Sequence, residues 1–333
     1  MWPDTLHSPQ RRRALAWLGA AALPGAVPGV TQAQARFPDK PITLIVPFAP
    51  GGIADITART VGEVMAQRLG QPIVVDNRPS AGSIVASQAV ATARPDGHTL
   101  LLLSNGNAVS VGLFKKLPYD PRKSFAAIST LGYFDLGLFV PAGSRFASLK
   151  DVVAFAKANT GKLNIGTISA GSTQHLAAKL FETVAGIDAV LVPYKGSPAV
   201  LTALRAGEID LAFEILGPML PQVQAGVVKA LAVSSDRRNP ALPEVPTVAE
   251  AGVASYNVAS WNALAAPAGT PPAVIDALNR AAREAVGSPA VRDKLAKLGM
   301  RVSGSSPADL EKLLASEIER WGAVIRSAKI EPE

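Results

Sequence analysis

Residues 42–69 read ITLIVPFAPGGIADITARTVGEVMAQRL, and this stretch decides the fold class. Its first seven residues, 42–48, form a continuous apolar run of strand type, and Ala49, Pro50, Gly51 and Gly52 then break the chain. From Ala54 to Leu69 the spacing turns helical, with Ile56, Ala58, Val61, Val64, Met65 and Leu69 falling on one side. Strand, small-residue loop and helix is the opening of a βα unit with a doubly covered sheet.

The same grammar recurs along the chain. Strands are expected at residues 73–76, 99–104, 163–167, 190–193 and 228–233, with helices at 83–92, 148–159, 172–185 and 198–206 between them. Two longer extended runs stand apart: residues 125–141 (FAAISTLGYFDLGLFVP), with Gly132 and Gly137 inside, and residues 256–267 (YNVASWNALAAP). Beyond Pro272 the pattern is helical to the end, at 272–286, 289–298 and 307–328. Buried strands alternating with helices argue for an α/β fold with parallel strands. Two extended runs bracketing a central block suggest a chain that leaves one lobe, builds a second and returns; a single large doubly wound sheet is the alternative.

Composition narrows the function. The chain has 333 residues, 48% hydrophobic and 18% charged, which excludes a disordered polypeptide. It has no cysteine, so disulfide scaffolds, thiolate nucleophiles and Cys-ligated metal centres are excluded. Arg11, Arg12 and Arg13 precede an uncharged apolar run and the sequence Ala33-Gln34-Ala35, the parts of a secretory signal peptide. Residues 1–35 are therefore expected to be removed on export to the periplasm, by the general or the twin-arginine route. Those residues hold three arginines and one aspartate, so the formal net charge of +7 falls to +5 in the exported chain. Basic and acidic residues are interleaved, as in Arg292-Asp293-Lys294, a solvated surface and no nucleic-acid footprint.

Catalytic machinery is sparse. His98 follows the turn Pro95-Asp96-Gly97 and is expected to be structural; His175 lies in the first turns of the helix beginning near Ser172. No histidine or cysteine pairs with either, so no metal site is expected. Residues 166–171, GTISAG, depart from the Gly-x-Ser-x-Gly nucleophile elbow, and no phosphate-binding loop or dinucleotide fingerprint is present. An exported hydrolase using Ser169 or Ser172 with His175 is the enzymatic alternative, but no orienting acid or oxyanion site has a pattern here. No cofactor is expected.

The loops offer a different chemistry. Residues 46–55 and 164–173 share one design, in which a strand ends in small residues at a helix start. Glycines let backbone N–H groups approach a ligand, and the first helical turn presents unpaired donors with partial positive charge. Together they suit a carboxylate.

The ordered motifs here resemble the Bug-type receptors of tripartite tricarboxylate transporters. They are PFAPGGIADITAR at 47–59, VDNRP at 75–79, PDGHTL at 95–100, LPYDP at 117–121 and SAGSTQHLA at 169–177. VPYKG at 192–196, LAV at 231–233, LPEVPT at 242–247, Trp261 and APAGTP at 266–271 complete the series. The resemblance covers nearly the whole chain after residue 35. It implies a two-lobed periplasmic-binding-protein fold of type II-like form, the lobes joined by crossing strands with a ligand cleft between. Residues 36–136 and 258–333 would form lobe 1 and residues 137–257 lobe 2. The implied function is capture of a small organic carboxylate by lobe closure and delivery to a membrane transporter. The large and small membrane subunits are the implied partners, although such receptors often serve without dedicated ones; a membrane sensor kinase is the alternative partner. A monomer is the simplest expectation.

Carried over residue by residue, the resemblance places Phe48, Ala49, Gly51, Gly52, Ala54 and Asp55 at the first wall, with Ser104 and Asn105 beside them. Asp55 is expected to order the loop, since two carboxylates repel. The second wall would hold Thr167, Ser169, Gly171, Ser172, Thr173 and His175, with Tyr194 and Lys195. Three departures stand out: Ser80 and Ser83 replace frequent glycines, His98 replaces a frequent tyrosine, and Glu214 ends a strand expected to face the cleft. An acid there would penalise a second ligand carboxylate and favour an ammonium or hydroxyl, pointing to a monocarboxylate or an amino or ring-nitrogen acid. The plainer reading of Glu214 is a solvated strand end.

Overall fold

A computed structural model describes residues 37–168, 172–254, 256–327 and 330–332. The expected signal peptide, and Ser169 and Gly171 of the second loop, lie outside the described residues. The elements in chain order begin β1 (Ile42–Val46), α1 (Ile53–Leu69), β2 (Ile73–Asn77), α2 (Ile84–Ala91), β3 (Thr99–Ser104), α3 (Asn105–Leu113) and β4 (Phe125–Pro141). There follow α4 (Leu149–Ala158), β5 (Asn164–Ile168), α5 (Thr173–Ala185), β6 (Val190–Tyr194), α6 (Ser197–Ala206), β7 (Leu211–Ile215), α7 (Leu216–Gln224) and β8 (Val228–Val233). The chain closes with β9 (Ala259–Pro267), α8 (Pro272–Gly287), α9 (Pro289–Ala296), β10 (Met300–Val302) and α10 (Pro307–Ser327).

The strands join in the order β2-β1-β3-β9-β4-β7-β5-β6, with β8 and β10 also paired to β4. The β1–β2, β1–β3, β5–β6 and β5–β7 pairs are parallel, as the βα grammar requires. β4 is the strand common to both ends. Its first part pairs antiparallel with β9 and β10, and its last part with β7 and β8. At about 3.3 Å per residue its 17 residues are long enough to run through both halves. The two extended runs picked out by the sequence are β4 and β9, hydrogen-bonded to each other from Phe125–Pro267 to Asp135–Ala259.

The apolar runs are continuous because the sheet is covered on both faces. Leu44, Val46, Leu100, Leu102 and Leu264 face one core with α1 and α8, while Ile45, Leu101, Leu103 and Ala263 face another. That second core extends through Leu176, Phe181, Phe213 and Tyr256 to Trp261 and Trp321, so α10 packs along both halves of the molecule. A third cluster lies under α6 and α7 around Leu204, Phe139 and Met219.

Three expectations are corrected. The first strand ends at Val46, and Pro47 and Phe48 belong to the loop. The C-terminal region is not wholly helical, because Met300–Val302 pairs with β4 as β10; three residues are too few to show a period. Helices α3 and α7 were not expected, since NGNAVSVGL and LGPMLPQVQ are rich in Gly, Asn, Ser and Pro. Tertiary contacts supply what propensity does not: in α3 the Asn107 side chain accepts from Ser104 N–H at 3.0 Å and donates to Ser87 Oγ at 2.7 Å.

Candidate functional site

The first loop is held from within by an acid. Asp55 is buried at the start of α1, where its carboxylate accepts from Gly51 N–H at 2.9 Å and from Asn77 Nδ2 at 3.0 Å. Arg59, one turn on, pairs with it at 3.0 Å and also donates to Asn77 Oδ1. Burial pushes the Asp55 carboxyl up, but Arg59, Gly51 and Asn77 outweigh it and hold its pKa below the ordinary value. Asn77 donates further to Phe48 O at 2.9 Å, so the loop is stitched to β2. Gly51 sits at φ +83°, a conformation glycine adopts without strain.

This network decides which amides remain. The N–H of Gly51 is spent on Asp55; those of Gly52, Ile53 and Ala54 have no partner among the described residues. The Ile53 donor is not among the groups expected from the sequence, because an apolar side chain hides a donor that belongs to the backbone. Phe48, Ala49, Gly51 and Gly52 are exposed, and Ala54 is buried.

The described residues expected in the second wall lie mostly at the end of β5 and the start of α5. Ser172 caps α5: its hydroxyl donates to Ile168 O at 2.8 Å and accepts from His175 N–H at 3.1 Å. A hydroxyl engaged on both sides is a cap, not a nucleophile awaiting a base. Thr167 Oγ1 lies 3.4 Å from His175 Nδ1, and burial, with Lys179 nearby, holds the His175 pKa below its usual value. Tyr194 packs against the α6 cluster and Lys195 is exposed; among the described residues no hydrogen bond or ion pair ties either to the other site residues.

Asn105 ties the start of α3 to the start of α5. Fully buried at the start of α3, next to buried Ser104, it donates from Nδ2 to Thr173 Oγ1 at 3.0 Å, across 68 positions of sequence. Its Oδ1 accepts from Trp321 Nε1 at 2.8 Å, and the same indole approaches Glu317 Oε2 at 3.0 Å. Burial raises the Glu317 pKa, against the lowering influence of Arg320 and Trp321. Neither Trp321 nor Glu317 carried a sequence signal for this site, since they lie more than 200 positions from Asn105. Elsewhere, the Ile53 side chain at the start of α1 approaches Gly217 in the first turn of α7.

Glu214 is not solvated. It is 0% exposed, its Oε2 accepting from Ser197 Oγ at 2.7 Å and Ile215 N–H at 3.2 Å, beneath the start of α6. Burial pushes its pKa up to about 7, against the lowering effect of Ser197, Ile215 and Gln174. His98 is structural in its setting, flanked by Asp39 at 3.1 Å and Asp96 at 3.3 Å and stacked edge-on with Phe37. A cavity of about 470 Å³ opens on the flank of β4 and β9, lined by Tyr133, Trp261, Arg301, Glu317 and Arg320 among others; it includes none of the expected site residues.

With this geometry in view, the comparisons are specific. The tripartite tricarboxylate transporter family receptor profile matches residues 57–330. The chain belongs to this receptor family. A UPF0065 protein from the tcbD–tcbE intergenic region of Pseudomonas sp. strain P51 is 37% identical over 318 residues, 95% of this chain and 94% of that one. Two solved structures from Rhodopseudomonas palustris are similar throughout. Rpa4515 with adipate is 34% identical, with a TM-score of 0.81, over 89% of this chain and 100% of that one. MatC with bound malate is 34% identical, with a TM-score of 0.77, over 87% of this chain and 100% of that one. The receptor therefore has the periplasmic-binding-protein fold expected of it and is a solute receptor of extracytoplasmic type, not an enzyme.

Proposed function

We propose that this receptor captures a small organic acid between the starts of α1 and α5 and hands it to a membrane transporter. The reading is supported by the unpartnered backbone donors of Gly52–Ala54 at the start of α1, and by the hydrogen bond to Thr173 at the start of α5 from Asn105, which follows the β3 strand parallel to β1. Helix N-termini favour anions, and the Asp55 network holds the first of them rigid without placing a guanidinium on the ligand. Asp55 is a loop-ordering residue in this reading, and Ser172 a cap. The bound adipate and malate of the two relatives support a carboxylate.

Lobe 1 comprises residues 36–136 and 258–333 and lobe 2 residues 137–257, with β4 and β9 as the crossing strands. Ligand contacts to both lobes favour the closed form, which the large and small membrane subunits then recognise. Mass spectrometry of small molecules released from the purified protein, followed by thermal-shift screening of organic acids, tests the reading. A carboxylate that co-purifies or raises the melting temperature is expected; co-purification of an uncharged or cationic metabolite alone overturns it. Affinity capture from membranes separates transporter subunits from a sensor kinase.

A further inference from the structure

The cavity on the flank of β4 and β9 is built on a short row of side chains across three strands. Arg301 of β10 stands opposite Tyr133 of β4, and Tyr133 opposite Trp261 of β9, so all three share one face of the sheet. Helix α10 covers that face and brings Leu313, Glu317 and Arg320, at helical spacing, to the other side. About 470 Å³ lies between them, a volume in the range of small-molecule sites and many times that of one water. The carboxylates here are already engaged. Asp135, two positions from Tyr133 on the same face and 0% exposed, takes Arg301 Nη2 at 3.0 Å, and Glu317 takes Arg320 Nη2 at 2.8 Å. Donors are left over. Arg301 Nε and Arg320 Nε are buried without a partner among the described residues. The Trp261 indole N–H stands near enough to Glu317 to lower that carboxyl's pKa but closes no hydrogen bond with it. Each buried side-chain polar atom left over around the cavity is thus a donor and none is an acceptor. At the exposed rim Arg237 makes no ion pair among the described residues, beside exposed Asp236.

We infer that this cavity is a second ligand site, separate from the starts of α1 and α5, for a small carboxylate carried on a flat apolar body, an acid of the benzoate kind. Surplus donors on guanidinium groups favour a partner rich in acceptor oxygens, and favour it charged. Tyr133, Trp261 and Leu313 supply the apolar part of the wall, and the Arg301 guanidinium lies 5.8 Å from the Tyr133 ring centre, so charge and ring are presented side by side. The site does not rest on the carboxylate reading of the two helix starts, since it includes none of the residues expected there.

Without residues 1–35 the chain keeps two tryptophans, Trp261 in the cavity wall and Trp321 beside Glu317, so intrinsic fluorescence reads the site directly. Titration of the purified exported protein with benzoate is expected to change the emission saturably. Benzamide should bind about tenfold more weakly, for want of charge-assisted hydrogen bonds. Ala259 lines the cavity opposite Asp135 in the β4–β9 register, and Ala259→Leu, which fills the space, is expected to abolish the response. Arg237→Gln, at the rim, should weaken benzoate about threefold at an unchanged melting temperature. The thermal shift given by an acid bound at the starts of α1 and α5 should persist in Ala259→Leu, which keeps the two sites distinguishable. An emission change that stays linear in benzoate, as collisional quenching gives, overturns the inference, and so does equal binding of benzoate and benzamide. Saturable benzoate binding that survives in folded Ala259→Leu places the ligand elsewhere and overturns it too. Should that variant fail to fold, Arg237→Gln decides alone, and unchanged benzoate affinity there has the same force.

Discussion

Ser83 shows what one residue's backbone can cost. It stands where the resemblance expects glycine and adopts φ +61°, a non-glycine residue in the left-handed region. That conformation costs an L-residue about 1–2 kcal/mol, of which glycine's larger unfolded-state entropy returns about 0.4–1 kcal/mol. Ser83→Gly is therefore expected to stabilise the protein by about 0.5–1 kcal/mol, read as a rise in the urea midpoint at unchanged slope. Glu214 is the second residue with a measurable signature. Its folded pKa of about 7 exceeds the ordinary 4.5, so between those values the native state holds a proton that the unfolded chain has lost. Stability then falls as pH rises through that window, by on the order of 2–3 kcal/mol. Glu214→Gln has no such proton to lose. Wild type and variant should differ little at pH 4.5, and the variant should be the more stable at pH 8; parallel stability curves from pH 4.5 to 8 would show that the carboxyl titrates normally.

At the scale of elements, the starts of α1 and α5 are fixed by different devices, and each fails differently. Asp55 gathers three donors, whereas α5 hangs on one hydroxyl. Ser172→Ala removes the acceptor for His175 N–H and should cost about 1 kcal/mol, by the usual worth of such a cap, with a melting temperature lower by about 2–4 °C. β4 depends on closeness: a Cβ at Gly132 would stand 2.6 Å from Arg301 O, so Gly132→Ala must push β10 from its partner. The loss of amide protection across Met300–Val302 in hydrogen exchange is the expected sign. These elements also show what was legible. Long apolar runs such as Leu100–Leu103 and helical spacing in 54–69 announced themselves, because burial on both faces leaves a local pattern. The α3 helix did not, since Asn105 and Asn107 gain their purpose only from Ser87, Thr173 and Trp321, which are distant in sequence. The burial of Glu214 beneath α6 was hidden for the same reason: sequence left it either cleft-facing or solvated, and its partner Ser197 belongs to another element.

The whole molecule poses the question of motion. In the proposed reading the core that runs along α10 is the axis of closure, and the Asn105–Thr173 bond lies where the two walls would meet. One hydrogen bond contributes about 1 kcal/mol net, too little to hold two lobes shut by itself, so ligand contacts must supply the bias toward closure. A carboxylate at a hundred times its dissociation constant adds about 2.7 kcal/mol to the stability of the state that binds it. The expected outcome is a raised melting temperature together with a smaller radius of gyration in X-ray scattering, approaching the roughly 19 Å of a compact chain of this size. Asn105→Ala should leave the ligand-free radius larger than that of the wild type, because the bond that spans the walls is gone. If ligand raised the melting temperature while the radius stayed constant in both proteins, the walls would already be shut at rest, and recognition by the membrane partner would have to rest on something other than closure.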